Sequence, residues 1–354
     1  MSKKDKKPKR EKKPKKQRKI RITTILFIII DIIVVGCFVL FYGPFANFRY
    51  LIINTAMGTM SHQYIAYTFW SEEYIQKVLS ESAYIPINDT VNLDDIVIDT
   101  APKDYYENEY DEAILTRDPG NEDYKYMKVK VGKYDAHLVA IYDPSKVELI
   151  HSKEFNTGRG QERIKDMCAR LGGVACINGG MFVDNGWGSD IPMGYLIKDG
   201  KIIWSDHGGK ADLIGFTNDD KLLLISATGE EAINMGMRDA LEFGPFLIVN
   251  GETLQYANST AGGYNRAARV AIGQRKDGVV LFLVTEGTHA AGPNLLEVIE
   301  TLKLYGAYNA ANLDGGTSAQ LAINGQIMNT PKNIYGQVVN GGRRVVSGFG
   351  LILK

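Results

Sequence analysis

The sequence predicts an α+β protein: a mixed-sheet domain built of hairpins with two main helices, preceded by an N-terminal transmembrane helix and a juxtamembrane helical region. Three observations predict it. From Met127 onward, short apolar runs alternate with Asn, Asp and Gly in the manner of strands and tight turns. Two stretches within that region carry helical spacing of apolar residues. Ahead of them lies an uninterrupted apolar run behind a block of lysines.

The elements follow in chain order. Residues 1–21 hold thirteen Lys or Arg against two acids, so this tail carries +11 and the remaining chain −11, although the formal net charge is zero. "ITTILFIIIDIIVVGCFVLFY", Ile22 to Tyr42, is 21 residues long with Asp31 as its one charge. At about 1.5 Å per residue that length crosses a hydrocarbon core of roughly 30 Å. A cleaved signal peptide has a shorter apolar region, on the order of 7–15 residues. The run therefore reads as a membrane anchor through residues 22–42, and the preceding lysines place the amino terminus in the cytoplasm and the rest of the chain outside. Asp31 reads as one tolerated carboxyl, with a paired intramembrane acid as the alternative.

Residues 43–79 are apolar and aromatic but broken at Gly58, His62 and Gln63, which suits helices at the outer membrane surface better than a second span. Residues 80–126 are polar and acidic and read as a linker with little room for a core of its own. Residues 127–354 form the folded domain, long enough to bury a substantial core. Within it "KVKVGKYDAHLVAIYDP", "GYLIKDGKIIW", "LIGFTNDDKLLLIS", "PFLIVNGETL" and "VAIGQRKDGVVLFLVTEG" each read as two strands around a turn. "QERIKDMCARLGG" places Ile164, Met167, Cys168 and Leu171 on one helical face. "NLLEVIETLKLYGA" does the same with Leu295, Val298, Ile299, Leu302 and Tyr305, with Asn294 and Glu297 as a capping pair and Gly306 as the stop. The three cysteines form neither a disulfide framework nor a zinc spacing. Cys168 and Cys176 suit one bridge or two buried thiols equally.

Both helices lead through a glycine and an apolar strand into a polar residue followed by Gly-Gly: "NGGMF" at Asn178 and "DGGTS" at Asp314. A distant internal duplication would bring these two turns to one face. Glycines there permit a sharp turn or close approach to a ligand.

"INGGMF", "FGPFLIVNGE", "ARVAIGQRKDGVVLFLVTEG", "NLLEVIETLKLYGAYNAANLDGGTSAQL" and "RRVVSGFGLIL" occur in an order that resembles the phosphodiester glycosidase family over about residues 127–354. The resemblance implies Asp314 as the leading carboxylate, Arg269 opposite the phosphate, and Asn178, Gly179, Gly180, Gly315, Gly316 and Ser318 in the pocket. Glu286, in "TEG", stands where the family often has Asp-Gly-Arg, so the resemblance implies that it supplies the acid and acts with Asp314 as nucleophile, base or water-positioner, with Thr288 in place of the arginine. Of the pair Arg343 and Arg344, the latter is taken as a phosphate contact. His289 reads as an exposed loop histidine, and His207 has a similar standing.

The chemistry suits these residue types. Breaking an anomeric C–O bond passes through an oxocarbenium-like state that carboxylates stabilise, and an arginine neutralises a departing phosphate. N–H groups of the Gly-Gly turns offer a nest for further phosphate oxygens. The expectation is a membrane-anchored extracytoplasmic hydrolase that takes a sugar from a sugar 1-phosphodiester in a surface polysaccharide, teichoic-acid-like polymer or glycolipid. A non-catalytic glycan-phosphate scaffold and a transglycosylating relative are the alternatives. No cofactor and no nucleic-acid partner are expected, and no HExxH, P-loop or GxSxG pattern is present. A cation beside Asp314 stays open.

Overall fold

The computed structural model describes residues 22–59, 62–87, 89–184, 189–258 and 263–353. The basic tail expected at residues 1–21 lies outside them. Among the described residues the helices are α1 Ile22–Tyr42, α2 Ala46–Met57, α3 Tyr64–Phe69, α4 Glu72–Glu81, α5 Glu109–Leu115, α6 Ile164–Arg170, α7 Gly229–Asn234 and α8 Leu295–Leu304. The chain divides into two compact units, residues 1–49 and 50–354. In the first, α1 coincides with the apolar run, has a mean hydropathy of 3.0 and buries none of its side chains in protein.

The second unit contains three larger sheets. One has seven strands in the order 252–253, 246–249, 307–313, 270–275, 280–285, 134–141, 124–131. A five-stranded sheet runs 326–327, 321–323, 173–178, 347–352, 147–151, and another runs 222–227, 211–217, 237–242, 196–198, 201–204. The fold class is α+β as expected. Each of the five hairpins forms where the turn chemistry places it, with Asp199 and Gly200, and Asn250 and Gly251, in the left-handed conformation that tight hairpin turns require. The expectation of a mixed sheet is refined, since the described pairings are antiparallel.

The seven-stranded sheet is apolar on both faces, which is why its central strands Val270–Arg275 and Val280–Thr285 are buried at every position. On one face Ala271, Leu281 and Leu283 pack under α8 and α5. On the other Val270, Ile272 and Phe282 pack with side chains from both five-stranded sheets, such as Ile177, Phe349 and Leu213. Helix α8 begins with the expected capping box between Asn294 and Glu297. Helix α6 covers the outer face of the 173–178 sheet through Ile164, Met167 and Cys168, and a disulfide joins Cys168 to Cys176.

Residues 80–126, expected as a linker, are laid against the domain. The strand Tyr84–Ile85 pairs with Gln255–Tyr256, and Ile96, Ile114 and Leu115 are buried. Their apolar residues are too few for a separate core but enough to extend an existing one. Asp111 makes a buried ion pair with Arg275 at 2.8 Å, and Arg275 also bonds Asp277 and the Tyr305 carbonyl. Asp111→Ala is expected to cost about 1–3 kcal/mol in urea unfolding and to expose residues 100–120 to limited proteolysis. Unchanged stability and cleavage would show that the segment is not held by this pair.

Candidate functional site

The strands Gly173–Asn178 and Ala307–Leu313 belong to different sheets, yet the turns that follow them meet. Asn178 is fully buried. Its side-chain amide donates to the Asp314 carbonyl at 2.6 Å, while its amide oxygen accepts from the Gln320 N–H at 2.9 Å. The Asp314 N–H in turn donates to the Gly179 carbonyl at 2.8 Å. One polar side chain thus clasps both glycine turns. Close approach demands glycine here: a Cβ at Gly179 would lie 2.3 Å from Leu241 Cδ2, and one at Gly315 would lie 2.4 Å from the Ala268 carbonyl oxygen.

A pocket of about 130 Å³ opens above the clasp, lined by Asp314, Gly315, Thr317, Ser318, Asp184, His289 and Arg343, with Gly58, Thr59 and His62 from the α2–α3 turn completing the wall. Burial pushes the Asp314 carboxyl up to about 6, against the opposing pull of a Ser318 hydrogen bond and Arg343; Asp184 pushes the same way as burial. Arg343 pairs with Asp184 at 3.1 Å and lies over the Phe182 ring, 4.8 Å from its centroid. Burial, then His62, Arg269 and Arg343, push His289 below its ordinary value, with Asp184 opposing. At neutral pH the pocket therefore presents an ionised carboxylate, a braced guanidinium and a neutral imidazole.

The other expected residues fall as follows. Arg269 stands one register step beyond the Val270–Leu313 pair, across from Asp314 along the strands. Its guanidinium, however, donates to Asn265 and to the Pro293 carbonyl, and it does not line the pocket. Burial pulls it down to about 10, opposed by Tyr256, so it stays cationic. Glu286 is also outside the lining: it bonds His137 at 3.2 Å and the Thr330 N–H at 2.9 Å. Burial disfavours its charge, but these two bonds outweigh burial and hold its carboxyl below the usual range. Arg344 is exposed on the short strand Arg344–Val345, while its neighbour Arg343 turns inward. His289 is half-buried in the pocket wall, not exposed. His207 bonds Glu242 elsewhere.

The expected N–H nest is already filled by protein. Gly179 N–H donates to the Ser347 carbonyl, Gly180 N–H to Ser347 Oγ, Gly316 N–H to the Ala268 carbonyl and Ser318 N–H to the Gly315 carbonyl. These four N–H groups are therefore not open to an anion. Sequence reading missed two further features. Asp190 accepts from Thr157, Arg159 and Gly160 and sits at about 2, because these bonds outweigh its burial. The contribution of Gly58, Thr59 and His62 had no signal beyond the break that Gly58 and His62 make in the apolar run.

Asp314 yields a pH-dependent stability with a defined sign. Its folded value lies above the unfolded value of about 3.9, so ionisation costs stability: the cost is absent below about pH 4 and complete above about 6. Asp314→Asn is expected to raise the melting temperature more at pH 7.5 than at pH 4. Equal shifts at the two pH values would contradict a buried, strained carboxylate.

The chain is 26% identical over 272 residues to the SPbeta prophage-derived uncharacterized protein YomE of Bacillus subtilis, covering 73% of this chain and 38% of that protein. It is 24% identical over 216 residues to mouse N-acetylglucosamine-1-phosphodiester alpha-N-acetylglucosaminidase, covering 56% of this chain and 41% of the enzyme. The chain thus spans about two fifths of the length of these relatives. In fold it is similar to the catalytic domain of the zebrafish enzyme of that name, with a TM-score of 0.52 at 20% identity, covering 65% of this chain and 82% of that one. The sequence model of the phosphodiester glycosidase family matches residues 172–352, just over half of the chain and both glycine turns, and the chain belongs to that family.

Proposed function

We propose that the protein is a membrane-anchored extracytoplasmic hydrolase that releases a sugar from a sugar 1-phosphodiester of the cell envelope. The observation that carries this reading is that Asp314 and Arg343 face one pocket. Family membership supports the reaction class. The apolar helix with lysines before it supports the anchor and its orientation, and the Cys168–Cys176 disulfide supports an oxidising compartment.

In the reaction the anomeric C–O bond breaks and its electron pair leaves on the phosphate oxygen, where Arg343 offsets the charge. Phosphate is a good leaving group, so strong acid assistance is dispensable. The anomeric carbon takes the oxygen of water, whose proton passes to Asp314 acting as a base; a carboxylate near 6 is suited to that at neutral pH. Neutral His289 and Ser318 orient the phosphate and the carboxylate, and Asn178 holds the turn that carries Asp314. Asn178, Gly179, Gly180, Gly315 and Gly316 are in this reading the frame of the site, with Arg269 and Glu286 as bracing residues.

Incubation with a panel of glycosyl 1-phosphodiesters is expected to release reducing sugar. Asp314→Ala should lower kcat by about 10²–10⁴-fold, Arg343→Ala should do so with partial recovery in Arg343→Lys, and Arg344→Ala should leave the rate near the native one. The native rate should fall as pH drops through about 6, as Asp314 gains its proton. Full activity in Asp314→Ala, or tight binding with no turnover of any diester, would overturn the proposal.

A further inference from the structure

A second cavity, of about 260 Å³, adjoins the catalytic pocket. Its walls are mostly apolar side chains from two helices and two loops: Leu51, Ile52 and Ala56 of α2, Ile65 of α3, Ala290 and Ile334, with Thr55 of α2 as the one polar residue that the catalytic pocket does not share. The two cavities share Thr59, His62, His289 and Ile334 in their linings. A ligand leaving the Asp314 pocket past the His62 and His289 side chains therefore enters an apolar groove.

The polar pocket is the smaller of the two, at about 130 Å³ against about 260 Å³ for the groove. Its α3 wall carries Tyr64, Tyr67 and Phe69, all exposed, the residue types that settle at a membrane surface. Along the chain, α2 begins four residues after the apolar helix ends. A hydrated polymer has no use for such a groove, whereas a hydrocarbon chain gains about 0.8 kcal/mol per methylene that it buries.

We infer that the substrate is a lipid-linked glycosyl phosphodiester, with its sugar phosphate in the Asp314 and Arg343 pocket and the first carbons of its apolar alcohol in the groove between α2, α3 and Ile334. This rests on the hydrolase reading and names the class of diester that it takes. The step leaves a free sugar and an alkyl phosphomonoester: water oxygen joins the anomeric carbon, the bridging oxygen stays with phosphate, and the second water proton goes to Asp314 and then to solvent. Thr59 and His62 are thereby substrate-binding residues of the enzyme.

The test compares methyl and octyl diesters of one sugar 1-phosphate, using the full chain in nanodiscs. Burial of two of the added methylenes already gives a rise of roughly tenfold in kcat/KM. Native protein is expected to prefer the octyl diester by at least that factor, and the ratio should collapse toward one in Ile52→Asn and in Ile65→Asn, which alter different helices. Equal kcat/KM for the two diesters overturns the groove and leaves the hydrolase reading intact. A preference that persists in both variants comes from partition into the bilayer and also overturns it. If neither diester turns over, the hydrolase reading falls, and equilibrium binding of octyl phosphate against methyl phosphate decides the groove. Octyl-selective binding that both variants abolish supports it; unselective binding overturns it.

Discussion

The side-chain amide of Asn178 is the joint on which the site depends. Two sheets end side by side at this point, each in a Gly-Gly turn, and the turns touch directly through the Asp314 N–H and the Gly179 carbonyl. The amide spans them, donating to the Asp314 carbonyl and accepting from the Gln320 N–H, with no exposure to water. A buried amide that lost either partner would carry a desolvation penalty of about 1–3 kcal/mol, so the joint is held in one arrangement. Glycine at 179 and 315 is the steric condition for the two turns, because a Cβ at 179 would meet the Leu241 side chain and the Gly348 backbone, and one at 315 the Ala268 carbonyl.

Function follows from what the joint does to Asp314. Fixing the backbone on both sides leaves the carboxylate facing a small pocket, where burial raises it toward neutrality while Arg343 and Ser318 oppose. Arg343 is itself held from both sides, by Asp184 and by the Phe182 ring. A carboxylate and a cation are therefore positioned before any ligand arrives, and binding need not pay to assemble them. Because protein acceptors take the turn N–H groups, the phosphate contact of the proposed reaction falls to side chains, and there the identity of the arginine is decisive.

Much of the fold was legible in the sequence because the signals were local. Asn250-Gly251 and Asp199-Gly200 fix hairpins by backbone conformation, and Asn294 with Glu297 fixes the start of α8. Repetition of helix, glycine, strand and Gly-Gly marked the two turns that the structure brings together. What escaped depends on distance in three dimensions. Arg343 and Arg344 are adjacent in sequence and opposite in direction, so only the register of the strand tells them apart. Arg269 faces Asp314 along the backbone, yet the Asn265 and Pro293 carbonyls draw its guanidinium away. Residues 80–126 look like a linker because their burial uses another segment's core, and the disulfide depends on α6 resting on its own following strand.

The central claim is that a clasped pair of glycine turns presents a carboxylate and a guanidinium to an anomeric C–O bond. Hydrolysis in ¹⁸O-enriched water, read by mass spectrometry of both products, tests it most directly. The account predicts the heavy oxygen on the anomeric hydroxyl of the released sugar and none in the phosphomonoester. Label in the phosphate would mean attack at phosphorus, and the pocket would then have to be read as that of a phosphodiesterase.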